Sequence, residues 1–104
     1  MRKERIENKL VEALNPVFLN VENESHNHHV PANSETHFKL TVVAELFQQL
    51  DRLDRHRKVN NLLTEELKNG LHALSLHLYS PIEWKNKHGQ IPLSPACRGG
   101  YDHD

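Results

Sequence analysis

Three histidines stand within four residues of this chain, at His26, His28 and His29, in the stretch ESHNHHVP. Histidine is the commonest metal ligand among side chains, and its charge changes close to physiological pH. With nine histidines in 104 residues and a net charge of −1 at pH 7, the chain becomes strongly cationic as the pH falls toward about 6. The composition therefore points to metal binding or to a pH-dependent surface.

A closed zinc site is not what these histidines predict. Structural zinc takes four ligands in fixed geometry and usually includes thiolates, whereas Cys97 is the single cysteine of the chain. A single cysteine also excludes an internal disulfide and indicates a reducing compartment. Histidines from two separate elements could instead complete a cluster whose other ligands come from a partner, since histidine replaces cysteine on one iron of some 2Fe-2S centres.

His72 is the second candidate ligand. Within the segment LHALSLHLY its parity aligns it with Leu74 and Leu76, on the inward face of a predicted strand. Its position alone favours a partly buried imidazole that hydrogen-bonds to a carbonyl, so a core role and a ligand role both remain open. His37 and His77 have the opposite parity in their strands, and we expect both to face solvent.

A run of basic side chains in the segment DRHRKV suggests a second kind of chemistry. The run consists of Arg55, His56, Arg57 and Lys58. It occupies the first turns of a predicted helix, where backbone N–H groups also favour anions, so it could hold the phosphates of DNA. The alternative is a solvated helix end that Asp51 and Asp54 neutralise, and the net charge of −1 fits that alternative.

Catalysis is not predicted. The sequence shows no phosphate loop, no HExxH motif and no set of nucleophile, base and acid. The acidic residues are scattered along helix faces, as ion-pairing partners would be.

Hydrophobic spacing predicts a helix followed by a hairpin in the first part of the chain. The helix stripe consists of Ile6, Leu10 and Leu14. Alternation then predicts two strands, whose inward residues are Val17, Leu19 and Val21 in the first and Phe38, Leu40 and Val42 in the second. The histidine-rich stretch is therefore the connection of this hairpin.

The second part of the chain predicts a crossover helix, a third strand and a closing helix. Helical spacing runs from residue 45 to the stop at Gly70, with Val59, Leu62, Leu63 and Leu67 on one face. After the third strand, Ser80, Pro81 and Glu83 form a capping box that opens a short helix. A helical crossover makes the strands that it joins parallel, so we expect an α+β domain with a three-stranded mixed sheet and helices over one face.

The predicted domain covers residues 1–87, and residues 88–104 form a predicted tail of weak order, because Gly, Pro and Ser interrupt it without any apolar period. The N-terminal segment MRKERIENKL has no apolar core of the kind that signal peptides and membrane spans contain. We expect a cytoplasmic protein that does not bind membranes.

Several segments in this order and spacing resemble the BolA family. They are NESHNHHVPANSETHFKL, RHRKVNNLLTEEL, LHALSLH, SPIEW and SPACRGG, and together they extend over nearly the whole chain. The resemblance implies a fold similar to class II KH domains and a non-enzymatic role. Members look like regulators of stress response and cell morphology that bind DNA, and like partners of monothiol glutaredoxins that share a 2Fe-2S cluster.

In that partnership, the resemblance implies that the glutaredoxin and its glutathione supply thiolates, while the BolA-like protein supplies histidines. The histidine at the start of the last strand corresponds to His72, and the loop ligand of some members corresponds to His28, with His29 as a nearby substitute and His26 on the surface. We expect a monomer without cofactor when the partner is absent. A pure iron-sulfur adaptor without DNA binding is the alternative. Members usually carry glycine at the position that Gln49 occupies here.

Overall fold

The structure is a computed structural model that describes residues 1–25 and 34–91. The predictions for His26, His28 and His29, and for the tail beyond residue 91, lie outside the described residues. The elements are α1 (Arg2–Leu14), β1 (Phe18–Asn23), β2 (His37–Val43), a 3-10 turn (Glu45–Gln49), α2 (Arg52–Leu62), α3 (Thr64–Lys68), β3 (Ala73–Tyr79) and α4 (Pro81–Asn86).

The sheet has the order β1-β2-β3. Strands β1 and β2 are antiparallel, as a hairpin requires, and β2 and β3 are parallel because the helical segment between them returns the chain to the same end of the sheet. The predicted α+β fold with a three-stranded mixed sheet is therefore confirmed. Likeness to class II KH domains stays a prediction.

One face of the sheet and one stripe of α1 form most of the core. Ile6 and Leu10 of α1 have no exposed surface, and Leu14 is buried beside them. The inward residues of β2 are Phe38, Leu40 and Val42, as alternation predicts. The sequence placed Val17 in β1, but the strand begins at Phe18 and Val17 is exposed.

The crossover contains three short helical segments where the sequence predicted one continuous helix. Helix α2 ends next to Leu63, and the Thr64 hydroxyl donates hydrogen bonds to the carbonyls of Asn60 and Asn61. Such a bond offers the backbone an alternative to helix continuation and bends the chain. Leu67 is exposed instead of buried, while Val59 and Leu63 pack in the core as expected.

The second face of the sheet is also largely buried, so the expectation that His77 faces solvent is wrong. His77 is 2% exposed and its Nε2 lies 3.1 Å from the Ser75 hydroxyl, while His37 is half-buried. Alternation along a strand shows on which face a residue lies, but not whether that face is buried. An imidazole that has a hydrogen-bond partner can be buried on either face. At the far end of this face, Trp84 of α4 stacks on Phe18, with ring centroids 4.9 Å apart.

Helix α1 is tied to α3 by two arginines on one carboxylate. Arg2 Nε and Arg5 Nε donate to the two carboxylate oxygens of Glu66, at 2.9 and 2.6 Å. Arg2 also donates to the carbonyl of Asn69, next to the turn at Gly70, where φ is +110°. The hydrogen bond from Arg5, followed by that from Arg2, lowers the pKa of Glu66 from 4.5 to about 2.

Arg55 fixes α2 against the rest of the fold. Its side chain is almost fully buried, and Nε donates to the carbonyls of Phe47 and Leu50, at 2.9 and 3.0 Å. Nη1 donates to the carbonyl of Leu78 in β3 and, at 2.6 Å, to Glu83 in α4. One guanidinium thus joins the 3-10 turn, the end of β3 and the first turn of α4.

The capping box of α4 forms as the sequence predicts. The Ser80 hydroxyl accepts from the N–H of Glu83, and the Glu83 carboxylate accepts from the N–H of Ser80. The bond from Arg55 lowers the pKa of the same carboxyl group, so Glu83 remains an anion that neutralises the buried guanidinium.

We predict that Glu66→Gln reduces the free energy of unfolding at pH 7 by about 2 kcal/mol, because two charge-assisted hydrogen bonds are weakened. The pKa of Glu66 is lowered by folding, so its contribution is complete above the unfolded pKa and is lost as the pH falls through the folded pKa. The free energies of unfolding of the parent and of the Glu66→Gln variant, measured in urea, should therefore converge as the pH falls from 4.5 toward about 2. Glu65→Gln, at an exposed neighbouring carboxylate, is the control. A constant difference over that range would contradict the prediction.

We predict that Arg55→Ala reduces the free energy of unfolding by about 3 kcal/mol, because Glu83 and buried carbonyls lose their donor. Arg55→Lys should recover only a small part of this loss in free energy of unfolding, since one ammonium group cannot donate to all of these acceptors at once. Arg57→Ala, on the exposed side of the same helix, should stay within about 0.5 kcal/mol of the parent. Equal stability of the Arg55 and Arg57 variants in urea would show that the network contributes nothing.

Candidate functional site

The parallel pairing of β2 and β3 brings two histidines together at the edge of the sheet where both strands begin. His72 precedes β3, and its N–H donates to the carbonyl of Thr36 at 2.8 Å. The imidazole rings of His37 and His72 meet edge to face, with centroids 5.9 Å apart and an angle of 82° between their planes. We call this pair the histidine edge.

The His72 side chain is exposed, so the expectation of a partly buried core histidine is wrong. The strand begins one residue later, at Ala73, and alternation carries no information about a residue outside the ladder. An exposed imidazole at this point is accessible to a ligand or to a partner.

Hydrogen bonds hold both ends of the segment 26–33 beside the histidine edge. The buried Ser25 hydroxyl accepts from the N–H groups of Thr36 and His37, at 2.9 and 3.1 Å. The Asn23 side chain donates to the carbonyl of Ser34 and accepts from the N–H of Ser25. The segment that carries His28 in the sequence therefore leaves and rejoins the described structure next to His37.

The donor set at this edge suits a shared metal centre better than an autonomous one. Within residues 1–25 and 34–91, no group of three or more His, Cys, Asp or Glu side chains could hold a metal ion. Imidazole nitrogens are accepted ligands of one iron in 2Fe-2S centres. The exposed His72 fits a cluster whose other ligands come from elsewhere.

The basic run of α2 does not form one surface. Consecutive helix residues point about 100° apart, so Arg55 points to the core while Arg57 is exposed on the opposite side. His56 and Lys58 are half-buried on the two flanks. Arg57 Nη1 lies 3.9 Å from Asp54 Oδ1, and both side chains are exposed, so this ion pair is weak. The position of Arg55 supports a structural role, not a contact with phosphate.

A cleft of about 470 Å³ opens between the start of α2 and α4, and we call it the basic cleft. Its lining consists of Leu50, Asp51, Arg52, Arg55, His56, Leu78, Tyr79, Glu83, Asn86 and Lys87. Arg52 and His56 are four residues apart and therefore lie on the same side of α2. On the wall that α4 contributes, Lys87 Nζ is 5.3 Å from the centroid of the Tyr79 ring.

The sequence patterns did not indicate two cationic residues of this cleft, Arg52 and Lys87. Arg52 could have been found from its spacing to His56, because that spacing places both side chains on one face. Lys87 offers no such signal, since its position depends on how Arg55 and Glu83 hold α4 against the sheet. With Glu83 neutralising Arg55, Arg52 and Lys87 are left facing the single carboxylate of Asp51 in the lining.

Gln49 stands at the position where the family resemblance leads us to expect glycine. Among the non-glycine residues of the described chain, positive φ angles occur at Asn15 and His88. Gln49 ends the 3-10 turn in a conformation that any residue can adopt, with its side chain exposed. The side chain of Phe47, two residues earlier in the same turn, is fully buried.

Among the helices that the structure describes, none combines the length and the apolar character that crossing a bilayer needs.

Comparison with known proteins identifies the family of this fold. A family model described as BolA-like protein matches residues 10–83. The chain is 48% identical over 100 residues to a Vibrio cholerae protein named DNA-binding transcriptional regulator BolA, with 96% of this chain and 94% of that protein covered. An Escherichia coli protein of the same name is 48% identical over 99 residues, which covers 95% and 94%.

A solved structure supports the same assignment. The solution structure of BolA1 protein from Mus musculus superposes with a TM-score of 0.79 at 42% identity, and the match covers 93% of this chain and 78% of the mouse chain. The family model spans the two histidines of the histidine edge, α2 and most of the basic cleft. This chain belongs to the BolA family.

Proposed function

We propose that this protein is a non-enzymatic, DNA-binding transcriptional regulator of stress response and cell morphology in the cytoplasm. Two relatives that are 48% identical carry the name of DNA-binding transcriptional regulator. The observation that carries the proposal is the convergence of Arg52, His56 and Lys87 on the basic cleft, with Arg57 exposed nearby on α2. Cationic side chains on two elements offer a phosphate backbone several contacts at once.

The proposed contacts position DNA without reading its sequence. Arg52 and Arg57 supply guanidinium groups and Lys58 an ammonium group, and contacts of this kind bind phosphate oxygens and fix the register of the protein on the duplex. Arg55 contributes indirectly, because it holds Lys87 of the α4 wall in place through Glu83.

A second function is favoured by the exposed imidazole of His72. We propose that the protein also shares a 2Fe-2S cluster with a monothiol glutaredoxin, with His72 and His28 as its own ligands. His28 follows Ser25 by three residues in the sequence. Ser25 accepts a hydrogen bond from the backbone of His37, which belongs to the histidine edge. An iron-sulfur adaptor without DNA binding is the competing proposal.

We predict that Arg57→Ala and Lys87→Ala each weaken binding to a short DNA duplex at low salt, with similar losses for unrelated sequences. Each variant should flatten the plot of log affinity against log salt by about one unit of slope, because one phosphate contact is lost. Fluorescence anisotropy over a salt series measures both quantities.

Lys9→Ala is the matched control, because Lys9 is an exposed lysine on α1, away from the cleft. Its binding and salt slope should equal those of the parent. Absence of binding at low salt, or unchanged slopes in both the Arg57 and the Lys87 variants, would reject the DNA-binding proposal and leave the adaptor as the function.

We predict that His72→Ala abolishes the change in visible circular dichroism when the protein is mixed with a glutaredoxin that carries its 2Fe-2S cluster. His28→Ala should weaken the change, with partial rescue by His29, and His26→Ala should leave it intact. Since the His72 side chain is exposed, the His72 variant should melt within about 1 kcal/mol of the parent. A His72 variant that unfolds yet keeps the spectral change at equal folded concentration would reject this ligand.

A further inference from the structure

We propose that the basic cleft binds a free nucleoside monophosphate, with the phosphate between Arg52 and Lys87 and the base against the apolar part of the lining. The binding itself goes beyond the proposed function, because it needs no nucleic acid. Its consequence, that a free nucleotide competes with DNA for the cations of the cleft, rests on the proposed function.

The lining of the cleft has an apolar part that a phosphate backbone does not need. Leu78 is 6% exposed, and Leu50 and Tyr79 are half-buried in the same lining. Binding of duplex DNA depends on its phosphates, and its bases stay stacked inside the helix. A small ligand with a planar, largely apolar ring can cover these side chains, as ligands do in most small-molecule sites.

The cleft has a suitable size and is formed before a ligand arrives. A volume of about 470 Å³ lies within the range of about 300–1,000 Å³ that small-molecule sites have. Arg55 donates to the Leu78 carbonyl at 3.1 Å and to Glu83 Oε1 at 2.6 Å, and thereby holds α2 and α4 together. A ligand therefore has to order only the exposed side chains at the mouth, which limits the entropic cost of binding.

The charges of the lining fit a single phosphate group. Arg55 is paired with Glu83, so their charges largely cancel for a ligand. The formal charges of the remaining Arg52, Lys87 and Asp51 leave a net charge of +1. Arg and Lys are both common phosphate ligands, and one phosphomonoester can contact both. The further phosphates of a nucleoside triphosphate would have no cation of the lining left to bind.

Polar groups on both helices suit the base. His56 lies one helical turn after Arg52 and is half-buried in the lining, and an imidazole ring can stack on a base. Asn86 of α4 supplies an amide with both donors and an acceptor. Asp51 Oδ1 accepts from the N–H of Asp54 at 2.8 Å, which fixes this carboxylate at the start of α2. An amide and a carboxylate are complementary to the ring nitrogens and the amino group of a base.

Calorimetric titration of the protein with AMP at neutral pH and low salt tests the site, with adenosine and inorganic phosphate as matched probes. We expect AMP to saturate at one equivalent and each of the other probes to bind at least about tenfold more weakly, because each lacks part of the contacts. In NMR spectra the ring signals of His56 should shift with AMP, while those of His72 at the other end of β3 stay constant. Equal affinity for AMP and phosphate, or unchanged His56 signals, would overturn the site.

Variants separate the phosphate contacts from the base contact. Arg52→Gln and Lys87→Gln should each weaken AMP binding by about tenfold and leave adenosine binding unchanged, whereas His56→Ala should weaken both. Lys85→Gln is the matched control, because Lys85 is an exposed lysine of α4 outside the lining. Equal losses of AMP affinity in the Lys85 and Lys87 variants would show that AMP binds elsewhere. Thermal melting of each variant shows that the fold is retained.

Competition with DNA is measured by fluorescence anisotropy of a labelled duplex at constant ionic strength. Excess AMP should displace the duplex and excess adenosine should not. Arg57→Ala should weaken DNA binding and leave AMP binding unchanged, because Arg57 lies outside the lining. If AMP binds but displaces no DNA, the competition is overturned. If DNA binds and AMP does not, the nucleotide site is overturned while the proposed function stands.

Discussion

The burial of one guanidinium is the constraint on which much of this fold depends. Arg55 donates to carbonyls at the end of the 3-10 turn and of β3, inside the fold. A buried arginine is unfavourable unless its charge is paired, and Glu83 supplies the pair from α4. Because Glu83 also caps its own helix, the same carboxylate couples the start of α4 to the position of α2. The geometry of the basic cleft follows from this coupling, since its two walls are those two helices.

Most of the fold could be predicted because the spacing of apolar residues indicates which face of a helix or strand is buried. The stripe of α1 and the alternation of β2 predicted buried residues correctly, and the Ser80 capping box predicted where α4 begins. The predicted length of the crossover helix was wrong at a point where a side chain bonds to the helix backbone. The Thr64 hydroxyl bonds to preceding carbonyls at the boundary between α2 and α3, where a continuous helix was predicted, and Leu67 beyond that boundary is exposed.

The candidate sites were less predictable, because their residues meet only through tertiary structure. Arg55 belongs to a basic run that looks solvated in the sequence, and its acceptors come from three distant segments. His72 was a candidate from its position at the start of a predicted strand, and the family resemblance favoured its role as a ligand, while its exposure depends on the residue at which β3 starts. Neither the approach of His37 to His72 nor the place of Lys87 in the cleft has a signal in local spacing.

The parallel pairing of β2 and β3 separates the two candidate sites. His72 precedes β3 and Tyr79 ends it, so the histidine edge and the basic cleft lie at opposite ends of the strand. At about 3.3 Å per residue the separation is about 20 Å, which is beyond direct contact and beyond the screening length of exposed charges at physiological salt. Occupation of one site does not block the other by overlap. Strand β3 spans the distance between the two sites, and Arg55 donates to the carbonyl of Leu78 near the end of β3 that borders the cleft. Arg55 therefore belongs to the cleft end of the strand, and the histidine edge is held by a different set of bonds around Thr36 and Ser25.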